Sequence, residues 1–212
     1  MSFPLKMLKL LIKHKIKPIC IFDGRPHEGK MACEKKRSTD RSKNMELAKQ
    51  HSEEGNREEA RKFVTRSLLV KSQDTDLFKE VLDQLGIFHY TAPYEADAQM
   101  AYMVREGLAS FAITEDSDLI AFGCTKIVVK MDYKGAAESF DLDEFRAATP
   151  SADWNEQLRT FQKMDADEFL TACVMAGCEY IKSIDRVGLK RILNDYQKAK
   201  SCKQIIEDMK IH

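Results

Sequence analysis

The sequence predicts an α/β fold, with a mostly parallel central sheet and flanking helices. Three observations carry that expectation. Ile19-Cys20-Ile21-Phe22 and Ser110-Phe111-Ala112-Ile113 are continuous apolar runs rather than alternating ones, as strands covered on both faces require. Segments of helical period stand between such runs, notably 75–85 and 93–105. Each run ends on acids mixed with turn formers, Asp23-Gly24 in one case and Thr114-Glu115-Asp116-Ser117-Asp118 in the other. In open α/β sheets ligands bind beyond the carboxyl ends of the strands, so these acids are candidate site residues.

The elements follow in order. Leu5, Leu8, Leu11 and Ile12 make 5–14 an amphipathic helix, and Lys17-Pro18 breaks it. Ile19–Phe22 is the first strand. From Lys30 to Arg66 basic residues crowd in and apolar positions are sparse. That composition predicts helices turning at Gly55-Asn56, either as a solvated surface hairpin or as a partner-binding arch. Thr75 to Leu85 is an amphipathic helix capped by Gly86, and Ile87–Tyr90 is a short strand. Pro93 suits a helix start, and that helix runs to about Arg105 before Gly107. Ile127–Val129 is a strand, Lys134-Gly135 a turn, and Phe140 starts another short segment. The stretch 141–153 is mixed. Met164–Glu168 opens a helix, with acids where the dipole favours them, and it stops at Gly177-Cys178-Glu179-Tyr180. Val187-Gly188-Leu189 then leads into a helix beginning Lys190-Arg191. Helix, glycine turn and basic helix suit a clamp on a duplex backbone, or a plain helical hairpin.

At 212 residues the chain is one domain, or one domain with an appendage. Its formal net charge is zero, so a nucleic-acid surface must come from a local patch. Six cysteines are scattered without a Cys-x-x-Cys pair, which predicts neither a zinc site nor a disulfide framework, and a reducing compartment. No apolar run is long enough to span a membrane, and the lysines that interrupt the first residues do not make a secretory signal.

The acids are the chemistry of the chain. Glu115, Asp116 and Asp118 crowd beside apolar neighbours and repel one another, which a cation relieves. On an extended backbone Asp116 and Asp118 point the same way. A solvated acidic turn explains the same residues. Asp23 reads as a turn former, and Glu95 and Asp97 as partners of a helix dipole. Those two do not share a helix face, so they converge only on something off the helix end. Taken together, Asp23, Glu95, Asp97, Asp116 and Asp118 are carboxylates without His or Cys, a donor set that suits magnesium. Two such ions about 3.5–4 Å apart serve an in-line phosphodiester displacement, and a basic arch would hold phosphates.

Ile21-Phe22-Asp23-Gly24, Ala92-Pro93-Tyr94-Glu95-Ala96-Asp97-Ala98-Gln99 and Ile113–Asp118 resemble the signature blocks of the structure-specific 5′-nucleases, the flap-endonuclease or XPG-like family. Leu119–Cys124 and Lys130-Met131-Asp132 resemble its exonuclease branch. The likeness covers nearly the whole chain and is weak over 141–160. It implies a PIN-like 5′-nuclease core, a helical arch and a C-terminal helix-two-turn-helix. The implied regions are a remnant of the N-terminal nuclease region (1–45), the basic helical arch (30–70), the internal nuclease region (75–150) and the helix-two-turn-helix (160–212).

The resemblance makes Asp23, Glu95, Asp97, Asp116, Asp118 and Glu179 ligands of two Mg2+ ions, with Glu179 standing where the family has Asp. It makes Lys30 and Arg37 the basic pair at the scissile phosphate. Together with Arg41, Ser183, Val187, Gly188, Lys190 and Arg191 they form the DNA-binding set, with a K+ ion at the loop 183–188. The family's first glycine in that loop is replaced here by Asp185 or Arg186. The family's N-terminal segment, with a first sheet strand and another Asp, has no counterpart in the sequence. The implied function is a magnesium-dependent 5′-to-3′ exodeoxyribonuclease or 5′-flap endonuclease in DNA repair, or a truncated, catalytically impaired DNA-binding product. The implied partners are DNA with 5′ ends, flaps or gaps and mismatch-repair proteins. A monomer in the nucleus, away from membranes, completes the expectation.

Overall fold

Leu8 and Leu11 are buried on the first helix, α1 (Ser2–Lys13), as its period predicts. The strand that follows, β1 (Cys20–Phe22), is only half-buried along its length. In the computed structural model, which describes residues 2–182, 184–185 and 187–210, the chain divides into two units. One is Pro26–His89, the other Met1–Arg25 with Tyr90–His212.

The first of these units is helical. A 3-10 turn (Glu28–Lys30) runs into α2 (Met31–Glu53), which packs against α3 (Arg57–Ser67) as a hairpin. Gly55, at φ +79°, makes the expected turn, and Asn56 Oδ1 caps α3 by accepting from Glu59 N at 3.4 Å. The seam is thin: small Ala48 and Ala60 are buried, and the His51 ring stacks on Phe63 with centroids 5.3 Å apart. The rest of the hairpin is charged and solvated, with pairs such as Lys62–Glu59 at 2.6 Å. Next comes α4 (Ser72–Gln84), closed by Gly86 at φ +64°, with Leu82 fully buried.

The second unit holds the strands. β2 (His89–Thr91) lies beside β1. Then come α5 (Ala96–Arg105), β3 (Ala112–Ile113) and the short α6 (Asp118–Ala121). β4 (Lys126–Val129) and β5 (Glu138–Asp141) form a hairpin. β3 pairs parallel with β4, Ala112 opposite Ile127. β4 pairs antiparallel with β5, Ile127 opposite Phe140.

The α/β class is as expected, but among the described residues the strands form two small sheets, β1–β2 and β3–β4–β5. The strands are too short for one continuous ladder. Ser110 and Phe111 do not join β3, because the chain is still closing α5 just before them: Leu108 N and Ala109 N both donate to Met103 O. Helix α5 packs on both β1 and β3 and so bridges the sheets. A core of Ala101, Val104, Ala112, Leu119, Cys124 and Ile127 lies beneath it.

The stretch that looked mixed is organised by caps. Asp141 Oδ1 accepts from Asp143 N and Glu144 N at 3.0 and 3.1 Å and starts α7 (Leu142–Ala147). Those bonds, and the Lys126 ammonium at 3.0 Å, hold the Asp141 carboxyl below its usual range. Asn155 starts α8 (Glu156–Lys163) and Asp165 starts α9 (Ala166–Ala176) in the same way. α10 (Leu189–Ala199) and α11 (Cys202–Lys210) complete the chain. Met164, Ala172, Met175, Val187, Ile192, Leu193, Cys202 and Ile205 form the core of this helical end. Among the described residues no helix is long and apolar enough to cross a membrane.

Candidate active site

Asp23 stands one residue beyond β1. Its Oδ1 accepts from Ala96 N at 2.8 Å, so the carboxylate sits on the N-terminal end of α5, where the helix dipole favours negative charge. The backbone fixes this arrangement on both sides. Ala92 N donates to Phe22 O at 2.8 Å, Gly24 N to Tyr94 O at 2.6 Å and Arg25 N to Pro93 O at 3.2 Å. Gly24 has no room for a side chain: a Cβ there would lie 1.8 Å from Ala92 O.

Glu95 is the residue before α5, with extended backbone (φ −97°, ψ 136°), and Asp97 lies in its first turn. Pro93 therefore precedes the helix rather than starting it. Glu95 turns one carboxylate oxygen, Oε1, away from solvent. Asp23, Glu95 and Asp97 thus gather at one helix end, as the sequence argument required of acids that do not share a helix face.

The second group of acids is built differently. Thr114 Oγ1 accepts from Asp116 N at 3.0 Å, and Asp116 Oδ1 accepts from Asp118 N at 2.9 Å. Ser117 is helical (φ −78°, ψ −12°), and Asp118 is the first residue of α6. The backbone is therefore not extended across these acids, and the alternation that would aim both carboxylates one way does not apply. Two consecutive side-chain turns hold them together instead. Behind them Leu119 is fully buried. Asp118 also faces α9: burial, and then the Asp118 charge, push the Cys173 thiol up to about 11. Glu179 is half-buried, just past the end of α9.

The donor set is carboxylate oxygen throughout, which suits magnesium. Among the described residues no three carboxylates converge into a closed cage. That is compatible with an ion that keeps several waters and takes one or two carboxylates directly. The residues present therefore fit magnesium by chemistry, as separate corners rather than as a preformed cage.

Residues 86–179 match the model of the XPG I-region. The stretch contains Glu95, Asp97, Asp116 and Asp118, and it closes at Glu179. The chain is 34% identical over 202 residues to exonuclease 1 of Xenopus laevis, covering 95% of this chain and 25% of that protein. It is 29% identical over 199 residues to flap endonuclease 1 of Caenorhabditis elegans, covering 94% of this chain and 50% of that one.

The chain carries an XPG I-region and is similar to XPG-like 5′-nucleases over most of its length.

The fold agrees. The catalytic core of Rad2 in complex with DNA substrate superposes with a TM-score of 0.63 at 22% identity, covering 94% of this chain and 52% of that one. This XPG-like chain spans about a quarter of the exonuclease 1 relative and about half of the flap endonuclease.

The basic residues sort by place. Lys30 is the residue before α2, and Arg37 and Arg41 follow on that helix. Seven and four residues are close to whole numbers of turns, so the three form one stripe. Arg37 Nη1 reaches Glu34 Oε1 at 3.0 Å. At the helical end Gly188 caps α10 with extended backbone and open space where a Cβ would be. Lys190 and Arg191 are exposed, Arg191 lying 3.7 Å from Asp195. Val187 differs from expectation. Its side chain is buried in the helical core, so only its backbone is placed to meet a ligand. Ser183 and Arg186 lie outside the described residues.

Sequence reasoning missed four contributors to the site. Thr114 was passed over as part of a strand end, although a Thr two residues before an Asp is a turn signal. The role of Gly24 is close approach, visible only once Ala92 lies against it. Arg25 and Tyr94 carried no metal or phosphate signature, yet their contact joins the segment that bears Asp23 to the one that bears Glu95.

Proposed function

We propose that this XPG-like chain is a magnesium-dependent 5′-to-3′ exodeoxyribonuclease and 5′-flap endonuclease, hydrolysing DNA phosphodiester bonds in DNA repair. The observation that carries the reading is the seating of Asp23 on the N-terminus of α5. It places an acid that lies outside the XPG I-region beside the first acids of that region.

Asp23, Glu95, Asp97, Asp116, Asp118 and Glu179 would hold the magnesium, as two ions. When bound, it supplies charge stabilisation at the phosphate and an acidified water. The protein's own groups set the rest. The N-terminus of α5 favours ionised carboxylates off its end. Lys30 and Arg37 would place positive charge against the scissile phosphate, and Arg41 extends that stripe. Gly188, Lys190 and Arg191 would meet the duplex backbone, where contacts position without reading sequence. A K+ ion at the loop 183–188, mismatch-repair partners and nuclear placement belong to the same reading.

The test is cleavage of 5′-labelled duplexes with recessed and with flapped ends, in magnesium and in EDTA, beside the double variant Asp116→Ala, Asp118→Ala. Magnesium-dependent cleavage that the double variant loses is the expected result. A second reading is a catalytically impaired product that binds DNA without cleaving it. Tight binding without product would favour it. Failure to bind any junction or end would overturn both.

A further inference from the structure

Arg25 lies two residues beyond Asp23 and Tyr94 one residue before Glu95, so each is a chain neighbour of a candidate acid. They lie on each other. The Arg25 guanidinium carbon is 5.2 Å from the centroid of the Tyr94 ring, and Nη2 donates to Tyr94 Oη at 3.3 Å. The backbone bonds of Arg25 N to Pro93 O and Gly24 N to Tyr94 O hold the pair from beneath.

The use of the charge is informative. Among the described residues Arg25 makes no ion pair with a carboxylate, although Asp23 and Glu95 are near in sequence. An arginine present to neutralise the acids would bridge them with its fork. This one lies against a ring instead, and both partners are exposed, Tyr94 by 44%. Its single hydrogen bond to Tyr94 leaves most of a five-donor fork for solvent or a ligand. A solvent-exposed tyrosine beside a solvent-facing guanidinium is the combination that takes up a nucleotide strand. The base stacks and the phosphate meets the cation. An acid-rich corner otherwise repels phosphate, so a cation at its mouth also serves approach.

We propose that Arg25 and Tyr94 form a nucleotide-contacting platform, with the guanidinium on a phosphate and the ring on a base of the DNA strand entering the acid cluster. The proposal rests on the nuclease reading above.

The experiment uses the full chain and a fluorescently labelled 5′-flapped DNA, with calcium in place of magnesium to hold back cleavage. Affinity is measured by anisotropy across a range of sodium chloride concentrations, and thermal melting is followed in parallel. Arg25→Ala is expected to weaken binding and reduce the slope of log affinity against log salt by about one, the signature of one lost phosphate contact. Arg25→Lys restores the slope. Tyr94→Ala is expected to weaken binding about five-fold or more, and Tyr94→Phe, which keeps the ring, to stay near the parent. The proposal is overturned if Arg25→Ala lowers only the melting temperature and leaves affinity and slope unchanged. It is equally overturned if Tyr94→Phe is as weak as Tyr94→Ala, since the pair is then an internal brace. If the parent chain binds no DNA, the nuclease reading fails as well. Failure of the platform alone shows as a parent that binds and variants that match it.

Discussion

The acids beyond β1 and the acids beyond β3 carry the same sequence signature, and the structure builds them by opposite means. At the first corner every fixing bond is long-range. Phe22 meets Ala92, Asp23 meets Ala96, Gly24 meets Tyr94 and Arg25 meets Pro93. At the second corner the side-chain bonds each span two residues, Thr114 to Asp116 and Asp116 to Asp118, and a single backbone bond, Thr114 N to Val128 O at 3.0 Å, ties the turn to β4. The burial behind them differs too. β1 is half-buried, whereas Leu119 and Cys124 behind the second corner are fully buried. An apolar run ending in an acid therefore says where a carboxylate falls, but not what holds it there. The first corner exists only when distant segments have met. The second is a local turn resting on a finished core.

This contrast predicts very unequal sensitivity to single substitutions. The largest effect is expected at Gly24. A Cβ there would meet Ala92 O at 1.8 Å and Pro93 O at 2.8 Å. Both are backbone atoms, so neither can swing away as a side chain would. Gly24→Ala must push the two segments apart and break the bonds that join them. The expected cost is about 4 kcal/mol or more, in the class reserved for a failure of packing or backbone fit, read as a fall in the urea midpoint. Asp23 and Glu95 would separate, so on the nuclease reading cleavage is lost at temperatures where the variant is still folded. A Gly24→Ala chain with parental stability would mean that the first corner yields as easily as a loop.

Much of this was legible in the residues. The strands at 20–22 and 126–129, the turn at Gly55 and the helix ends at Gly86 and Gly107 follow from apolar runs and turn chemistry. What was not legible depends on partners distant in sequence or on caps. Asp141, Asn155 and Asp165 each start a helix by accepting backbone N–H groups, and a stretch rich in such polar residues reads as loop unless the cap is recognised. Val187 lies beside a glycine turn and looks ligand-facing, but Ile192, Leu193 and Cys202 enclose it. The extended backbone assumed for Asp116 and Asp118 failed because Asp side chains compete for nearby N–H groups and draw the chain into a turn.

A smaller effect is expected at Asp23, where charge and hydrogen bonding can be separated. Asp23→Ala removes the acceptor that Ala96 N uses at 2.8 Å, which should cost about 1–2 kcal/mol, the range for loss of a helix-capping group. Asp23→Asn keeps an oxygen acceptor in the same place and should retain most of that stability. It surrenders the negative charge, and with it a magnesium ligand on the nuclease reading. The pair of variants should therefore diverge: both impaired in cleavage, only Ala clearly destabilised in a denaturant titration. Equal stability losses would show that the corner depends on the charge at the end of α5 and not on the bond.

The smallest effect is expected at Thr114, because the second corner is local and its core is already complete. Thr114→Val removes the hydroxyl that accepts from Asp116 N at 3.0 Å and keeps the branched shape. The Asp116 N–H lies in an exposed turn, where water can replace the lost acceptor. The net cost should be about 0.5–1 kcal/mol, the usual value of one exchanged hydrogen bond. For a chain of this size that is a shift in melting temperature of about 1–4 °C. The turn at Asp118 keeps its own bond to Asp116 Oδ1, so the two acids stay neighbours while the backbone N-terminal to them loosens. On the nuclease reading the variant should need more magnesium for half-maximal cleavage and still reach a near-parental maximum rate. A loss of stability as large as that of Gly24→Ala would contradict the distinction between the corners, because it would show that the second one also depends on contacts far from its own sequence.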